Sequence, residues 1–252
     1  MPAVTQGWHR SPRPAHAFLP VMPRLTHDLI AQAVRPPPPG PAAPQPDEPR
    51  LRAEMQVFLH GRDPKLGVWV FAYGALMWNH DAAGPNIVTP ARLPGFARRY
   101  TLRDVQDRGT PASPGLTLGL EEAPALACPG LLLHLPGPDV EERLWPIWKQ
   151  EMGPGFYTPH WVEVTMHASR DPGGAPIRAL CFVTRPDSPH CCGEKPVREV
   201  ADCLARSIGP NGAAAAYLLD AADTLRKNGM RDATLESLEA EVAQRLADVR
   251  PV

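Results

Sequence analysis

The stretch Val68-Trp69-Val70-Phe71-Ala72-Tyr73-Gly74-Ala75-Leu76-Met77-Trp78 decides how this chain is read. Its first half is an apolar run without polar interruption, which predicts a buried strand over 68–76. Its second half is a Tyr-Gly-small-Leu turn, where glycine can adopt φ > 0 and lets a ligand approach successive backbone N–H groups. Working outward, Pro94-Gly95 reads as a turn within Arg92–Asp104, followed by a strand at Phe96–Leu102. Leu116–Leu120 and Leu131–Leu135 predict two more strands, with a loop over 121–129 between them. Trp161–Met166 alternates with period two, and Ala179–Val183 is another buried run, so about six strands are expected.

The C-terminal third is helical. Val197, Val200, Leu204 and Ile208 recur at helical spacing before Gly209-Pro210. A second helix is expected from about Ala213 to Lys227, and a third presents Leu235, Leu238, Val242 and Leu246 on one face. Strands first and helices afterwards predict an α+β fold. One helix falls between the strands. Across Asp139–Glu151, Val140, Leu144, Ile147 and Glu151 lie in line, so Glu151 shares the apolar stripe and not the solvated face of Glu141 and Glu142. Pro146 should kink this helix or start its last segment. A carboxylate directed inward among Trp, Met and Tyr gains a raised pKa and can serve as a general base. The competing reading of Glu151 is a helix-end carboxylate in an ion pair.

Composition narrows the rest. The net charge is -1 and the sequence has no basic stripe with interleaved aromatics, which argues against a nucleic-acid partner. No apolar stretch approaches a membrane span, so a soluble, cytoplasmic protein is expected. An odd count of five cysteines argues for reduced thiols and not a disulfide framework. Residues 1–50 hold thirteen of the 33 prolines, so residues 35–50 should be polyproline II or disordered, with a short helix at Leu25–Ile30. The domain boundaries that follow are a Pro-rich, partly disordered extension over 1–60 and a folded domain over 61–250. His190-Cys191-Cys192 lacks the C-x-x-C spacing usual for zinc, so no metal is expected there.

Several ordered blocks resemble the ChaC family of γ-glutamylcyclotransferases. Trp69–Trp78 is similar to that family's W-V-F-G-Y-G-S-L-x-W, and Pro94–Tyr100 to its G-Y/F-x-R-R-F. Arg108–Pro111 with Pro114–Leu120 resembles R-G-T-P-x-x-P-G-L-x-L-G-L. Trp148–Tyr157 resembles R-E-M/K-x-x-G-x-Y, and Gly209–Leu219 resembles G-x-x-G-x-x-x-E-Y-L. The resemblance implies a γ-glutamylcyclotransferase-like small mixed β-barrel flanked by helices, acting on glutathione without a cofactor. Glu151 would be the catalytic base, and Tyr73, Gly74, Ala75, Leu76, Arg108, Tyr157 and Tyr217 would bind the small-molecule substrate, although Tyr157 and Tyr217 read equally well as ordinary packing. Separately, a monomer is expected. The departures are Ala72 for the family's glycine, Ala75 for its serine, Gln150 for its arginine and Ala216 for its glutamate. They leave open a cyclotransferase for other γ-glutamyl amines, or an inactive γ-glutamyl-peptide binding protein. Tyr73 has a competing reading as an ordinary core aromatic. Of Arg98 and Arg99, neighbours in a strand, one should point outward.

Overall fold

The apolar run at Val68–Ala72 forms strand β1, which pairs antiparallel with the long strand β3 (Gly115–Leu135). Strand β2 (Ile87–Asp104) runs antiparallel to β3 along most of its length and hands over to β4 (Tyr157–Met166). Strand β5 (Ile177–Thr184) pairs antiparallel with β4 and parallel with β1 at Val70 and Leu180, closing a barrel in the order β1-β3-β2-β4-β5. The computed structural model describes residues 23–34, 45–167 and 174–249.

Two expectations are corrected here. The predicted strands at 116–120 and 131–135 are one strand, and 121–129 belongs to it instead of forming a loop. Pro94-Gly95 is likewise no chain reversal: it interrupts β2 as a bulge, with Gly95 at φ 78°, where the register shifts between Pro94 and Phe96. The acidic, Pro-containing segment opposite lies mostly exposed, so it lacks the hydrophobic pattern by which a strand is recognised. Bulges of this kind bend a strand without ending it.

The helices are α1 (His27–Ala33), α2 (Glu48–Leu59), α3 (Val140–Met152), α4 (Val197–Arg206), α5 (Ala214–Lys227) and α6 (Ala233–Asp248). Helices α1, α4, α5 and α6 pack on one another, and α5 also rests on β3. Leu235, Leu238, Val242 and Leu246 are all buried, as the spacing of α6 predicts. Helix α4 stops at Arg206, and Ile208 instead begins a two-residue ribbon, β6 (Ile208–Gly209) with β7 (Gly212–Ala213).

Within the stretch read as polyproline II or disordered, residues 35–44 lie outside the described residues, while 48–50 form the first turn of α2. Asp47 caps this helix by accepting from the Arg50 N–H, and Pro49 sits in the first turn, where a missing N–H costs nothing. Helix α2 buries Leu51, Met55 and Leu59 and packs on α3, with Phe58 stacked at 4.8 Å on Trp161. Helix α3 is a single helix with Pro146 inside it, and Val140, Leu144 and Ile147 of its stripe are buried. Among the described residues, no helix is long and apolar enough to cross a membrane.

Candidate active site

Three pieces of chain meet around a cavity of about 350 Å³: the turn after β1, the C-terminal end of α3, and the loop after β2 docked on the β6–β7 ribbon. Tyr73, Gly74, Ala75 and Leu76 line it from the first, Glu151 from the second, and Arg108 from the third. Tyr157 at the start of β4 and Tyr217 on α5 complete the set expected from the sequence.

The turn is a single 3-10 turn over Ala75–Met77. Its first internal bond runs from the Met77 N–H to the Gly74 carbonyl at 2.9 Å, so the amides of Gly74, Ala75 and Leu76 precede the first closed ring. The Ala75 backbone and the Thr117 side chain lie next to the Tyr217 hydroxyl and hold its pKa down against burial. Gly74 does not use the positive φ that glycine permits; it lies at φ -124°. Its requirement is space, since a Cβ there would stand 2.8 Å from the Tyr217 hydroxyl oxygen.

The aromatic wall is hydrogen-bonded in place. The Tyr73 hydroxyl donates to the Phe182 carbonyl at 2.8 Å, and the Tyr157 hydroxyl donates to the Leu118 carbonyl at 2.8 Å. Tyr73 is therefore both a core aromatic and a cavity residue. Burial raises the pKa of Tyr73 and Tyr157 well above the usual phenol range and pushes Tyr217 up to about 12, so all three hydroxyls stay protonated near neutrality.

Glu151 sits in the last turn of α3, half-buried at the cavity wall. Burial raises its carboxyl pKa to about 7, the Asp107 charge adds to this, and a 2.9 Å hydrogen bond donated by the Gln150 amide opposes it. Among the described residues Glu151 forms no ion pair with a Lys, Arg or His. A carboxyl with a pKa near neutrality can accept a proton and return it within one cycle.

The third wall includes residues that the sequence reading missed. Asp104 accepts from the backbone N–H groups of Gln106, Asp107 and Arg108 at 2.8–2.9 Å, folding the loop around its carboxylate. Arg108 then donates to the Asn211 carbonyl and lies 5.4 Å over the Tyr217 ring. Asp107, Asn211, Thr117 and Asn79 also line the cavity. An Asp followed two to four residues later by the amides it captures is an Asx-type turn signal, and Gly209-Pro210-Asn211-Gly212 is a turn signal too.

Of the two strand arginines, Arg99 points outward to Glu121 and Glu194, whereas Arg98 is buried behind the turn and pairs with Asp232. Arg98 is not among the residues lining the cavity. Cys191 and Cys192 join the sheet through Leu102 and Thr101, and among the described residues no three His, Cys, Asp or Glu side chains gather as a metal site requires.

The model of the ChaC-like protein family matches residues 68–245. The glutathione-specific gamma-glutamylcyclotransferase of Escherichia coli is 33% identical over 199 residues, covering 79% of this chain and 83% of that protein. The human glutathione-specific gamma-glutamylcyclotransferase 1 is 29% identical over 167 residues, covering 66% and 73%. A yeast gamma-glutamyl cyclotransferase specific to glutathione superposes with a TM-score of 0.63 at 22% identity, over 70% of this chain and 96% of that one, which shows a shared fold. A match across most of the barrel and its helices, with a relative one-third identical over four-fifths of the sequence, leaves one assignment: the chain belongs to the ChaC-like family.

Proposed function

We propose that this protein is a γ-glutamylcyclotransferase, a lyase that degrades glutathione to 5-oxoproline and Cys-Gly, with Glu151 as its base. The observation that carries the reading is the Glu151 carboxyl, its pKa raised to about 7, in one cavity with a turn whose leading amides precede its first closed ring. The names borne by the family relatives supply the substrate class.

The chemistry asks little of the protein because the nucleophile is part of the substrate. Glu151 takes a proton from the α-ammonium of the γ-glutamyl group. The freed amine attacks the γ-carbonyl carbon, a C–N bond forms, and the carbonyl electron pair moves onto oxygen. The Gly74 and Leu76 amides of the turn would be the donors to that developing charge, the Ala75 amide being next to the Tyr217 hydroxyl. When the oxyanion collapses, the bond to the cysteinyl nitrogen breaks and that nitrogen leaves as an amine with the proton held by Glu151. The freed carboxylate then takes the second proton from the ring nitrogen, giving the neutral lactam, and passes it to solvent. Holding the chain in a ring-forming pose is worth about 7–11 kcal/mol in such cyclisations. Arg108 has the charge to meet a substrate carboxylate, and the tyrosines shape the walls. Five reduced cysteines fit a reducing compartment, and a cytoplasmic monomer is our working assignment.

The test is incubation with reduced glutathione, following 5-oxoproline and Cys-Gly by mass spectrometry, with Glu151→Gln alongside. Product from the wild type alone supports both reaction and base. Product from the variant at a similar rate removes Glu151 from the mechanism, and binding without product converts the protein into a γ-glutamyl-peptide binder.

A further inference from the structure

Arg98 is an expensive residue to keep where it is. Its side chain has no solvent exposure, and a desolvated guanidinium is costly unless its partners are well placed. Two of its contacts are close. Nε meets Asp232 Oδ2 at 2.9 Å, and Nη1 donates to the Tyr73 carbonyl at 2.6 Å. Asp232 is itself engaged twice, since Oδ1 accepts from the Thr234 and Leu235 N–H groups at 3.0 and 3.2 Å as the N-cap of α6.

We propose that Arg98 and Asp232 are positioning residues that aim the Gly74 amide into the cavity and strengthen it as a donor. The inference rests on the cyclotransferase reading for its activity readout. The geometric reason is the peptide plane. Among the described residues only Gly137–Pro138 is cis, so the Tyr73–Gly74 bond is trans and its N–H points opposite to its C=O. Arg98 lies outside the cavity lining and holds that carbonyl, which turns the Gly74 N–H away from Arg98. Gly74 has no side chain to fix the plane by packing, so the carbonyl anchor does it. The guanidinium also polarises the amide through its carbonyl, and chained hydrogen bonds reinforce one another in a low-dielectric interior. Asp232, 2.9 Å from Nε, balances the charge of the guanidinium.

The alternative is that the ion pair only fastens α6 to the barrel. Arg98→Lys separates the two. A lysine keeps the charge beside Asp232 but cannot present a planar fork to both Asp232 and the Tyr73 carbonyl. The experiment measures 5-oxoproline release from reduced glutathione by full-length wild type, Arg98→Lys and Asp232→Asn, with circular dichroism giving the folded fraction. Arg98→Lys should lower kcat per folded molecule about 10²-fold, the loss typical of one oxyanion donor, with KM changed only a few-fold. Asp232→Asn, whose amide oxygen still accepts, should lower kcat by less. Unchanged kcat, or a loss that only tracks the unfolded fraction, overturns the proposal. If the wild type releases no 5-oxoproline, the functional reading fails by itself. The pair is then judged by the ¹⁵N-detected Gly74 amide resonance, which should differ between wild type and Arg98→Lys; an unmoved resonance overturns the positioning role.

Discussion

Asn211 is tied to Asp107 twice, once by each part of the residue. Its side-chain amide donates to Asp107 Oδ1 at 2.7 Å, and its backbone N–H donates to the Asp107 carbonyl at 2.9 Å. The β6–β7 ribbon thus docks on the loop that carries Arg108, which returns a bond to the Asn211 carbonyl. Gly209 allows this approach, since a Cβ there would lie 2.3 Å from the Asp107 carbonyl oxygen.

Asn211→Ala keeps the backbone bond and deletes the side-chain one. A hydrogen bond to a charged group is worth about 1.5–3 kcal/mol, less at an exposed rim. The expected outcome is a several-fold rise in KM from a looser Arg108 wall, with kcat nearly unchanged, as read by steady-state kinetics. A fall in kcat at constant KM would contradict a role confined to the wall.

Glu151 gives a pH prediction with a definite sign. The base must be ionised, and its pKa is raised to about 7 by burial, so kcat/KM should climb with pH and level off above about pH 7. An acidic limb near the ordinary carboxylate range would show that another group controls the step. Stability runs the other way. The unfolded carboxyl ionises near 4.5 and the folded one near 7, so the folded state is favoured below 4.5 and loses that advantage as pH rises through 7. Discounting for partial exposure, Glu151→Gln should gain on the order of 2 kcal/mol at pH 8 and little at pH 4.5, measured by urea unfolding.

Gly74→Ala forces a methyl to within 2.8 Å of the Tyr217 hydroxyl oxygen. Tyr217 is buried, with Ala75 and Thr117 next to its hydroxyl, so the clash is not easily relieved. Overpacking of this kind costs about 1–3 kcal/mol. Thermal unfolding should register that loss, and turnover should fall at least tenfold. An alanine variant with native stability and turnover would mean that Tyr217 moves freely.

Ala75→Ser restores the hydroxyl that the family pattern carries at this position. Ala75 lines the cavity and is half-buried, so the added oxygen has room beside a bound carboxylate or carbonyl. A net gain of about 0.5–1.5 kcal/mol corresponds to a KM for reduced glutathione lower by roughly 2- to 12-fold. An unchanged KM, checked by steady-state assay, would place the hydroxyl outside the substrate contacts of this chain.

What was legible follows from how each element is stabilised. Strands β1 and β5 are buried apolar runs, and α6 has a regular stripe, so pattern alone finds them. The middle of β3 is not patterned: its residues are held by pairing with β2 across a bulge, a long-range fact with no local trace. Helix α2 was hidden by the prolines before it, although Asp47 and Pro49 are start signals. In the site, Glu151 and the Tyr73–Leu76 turn are visible because their chemistry is written in adjacent residues. Arg98 could be read only as one of two arginines, because its partner Asp232 lies far along the chain and meets it only through packing of α6.

The Arg98–Asp232 contact also sets an order of events. A ribosome makes every strand of the barrel, the Tyr73–Leu76 turn and Glu151 well before Asp232 and the helix it caps. Until α6 has been translated and docked, Arg98 has no counter-charge and the Tyr73 carbonyl no fixed anchor. On the positioning proposal, the turn gains its fixed anchor only when α6, translated after the strands, the turn and Glu151, has docked.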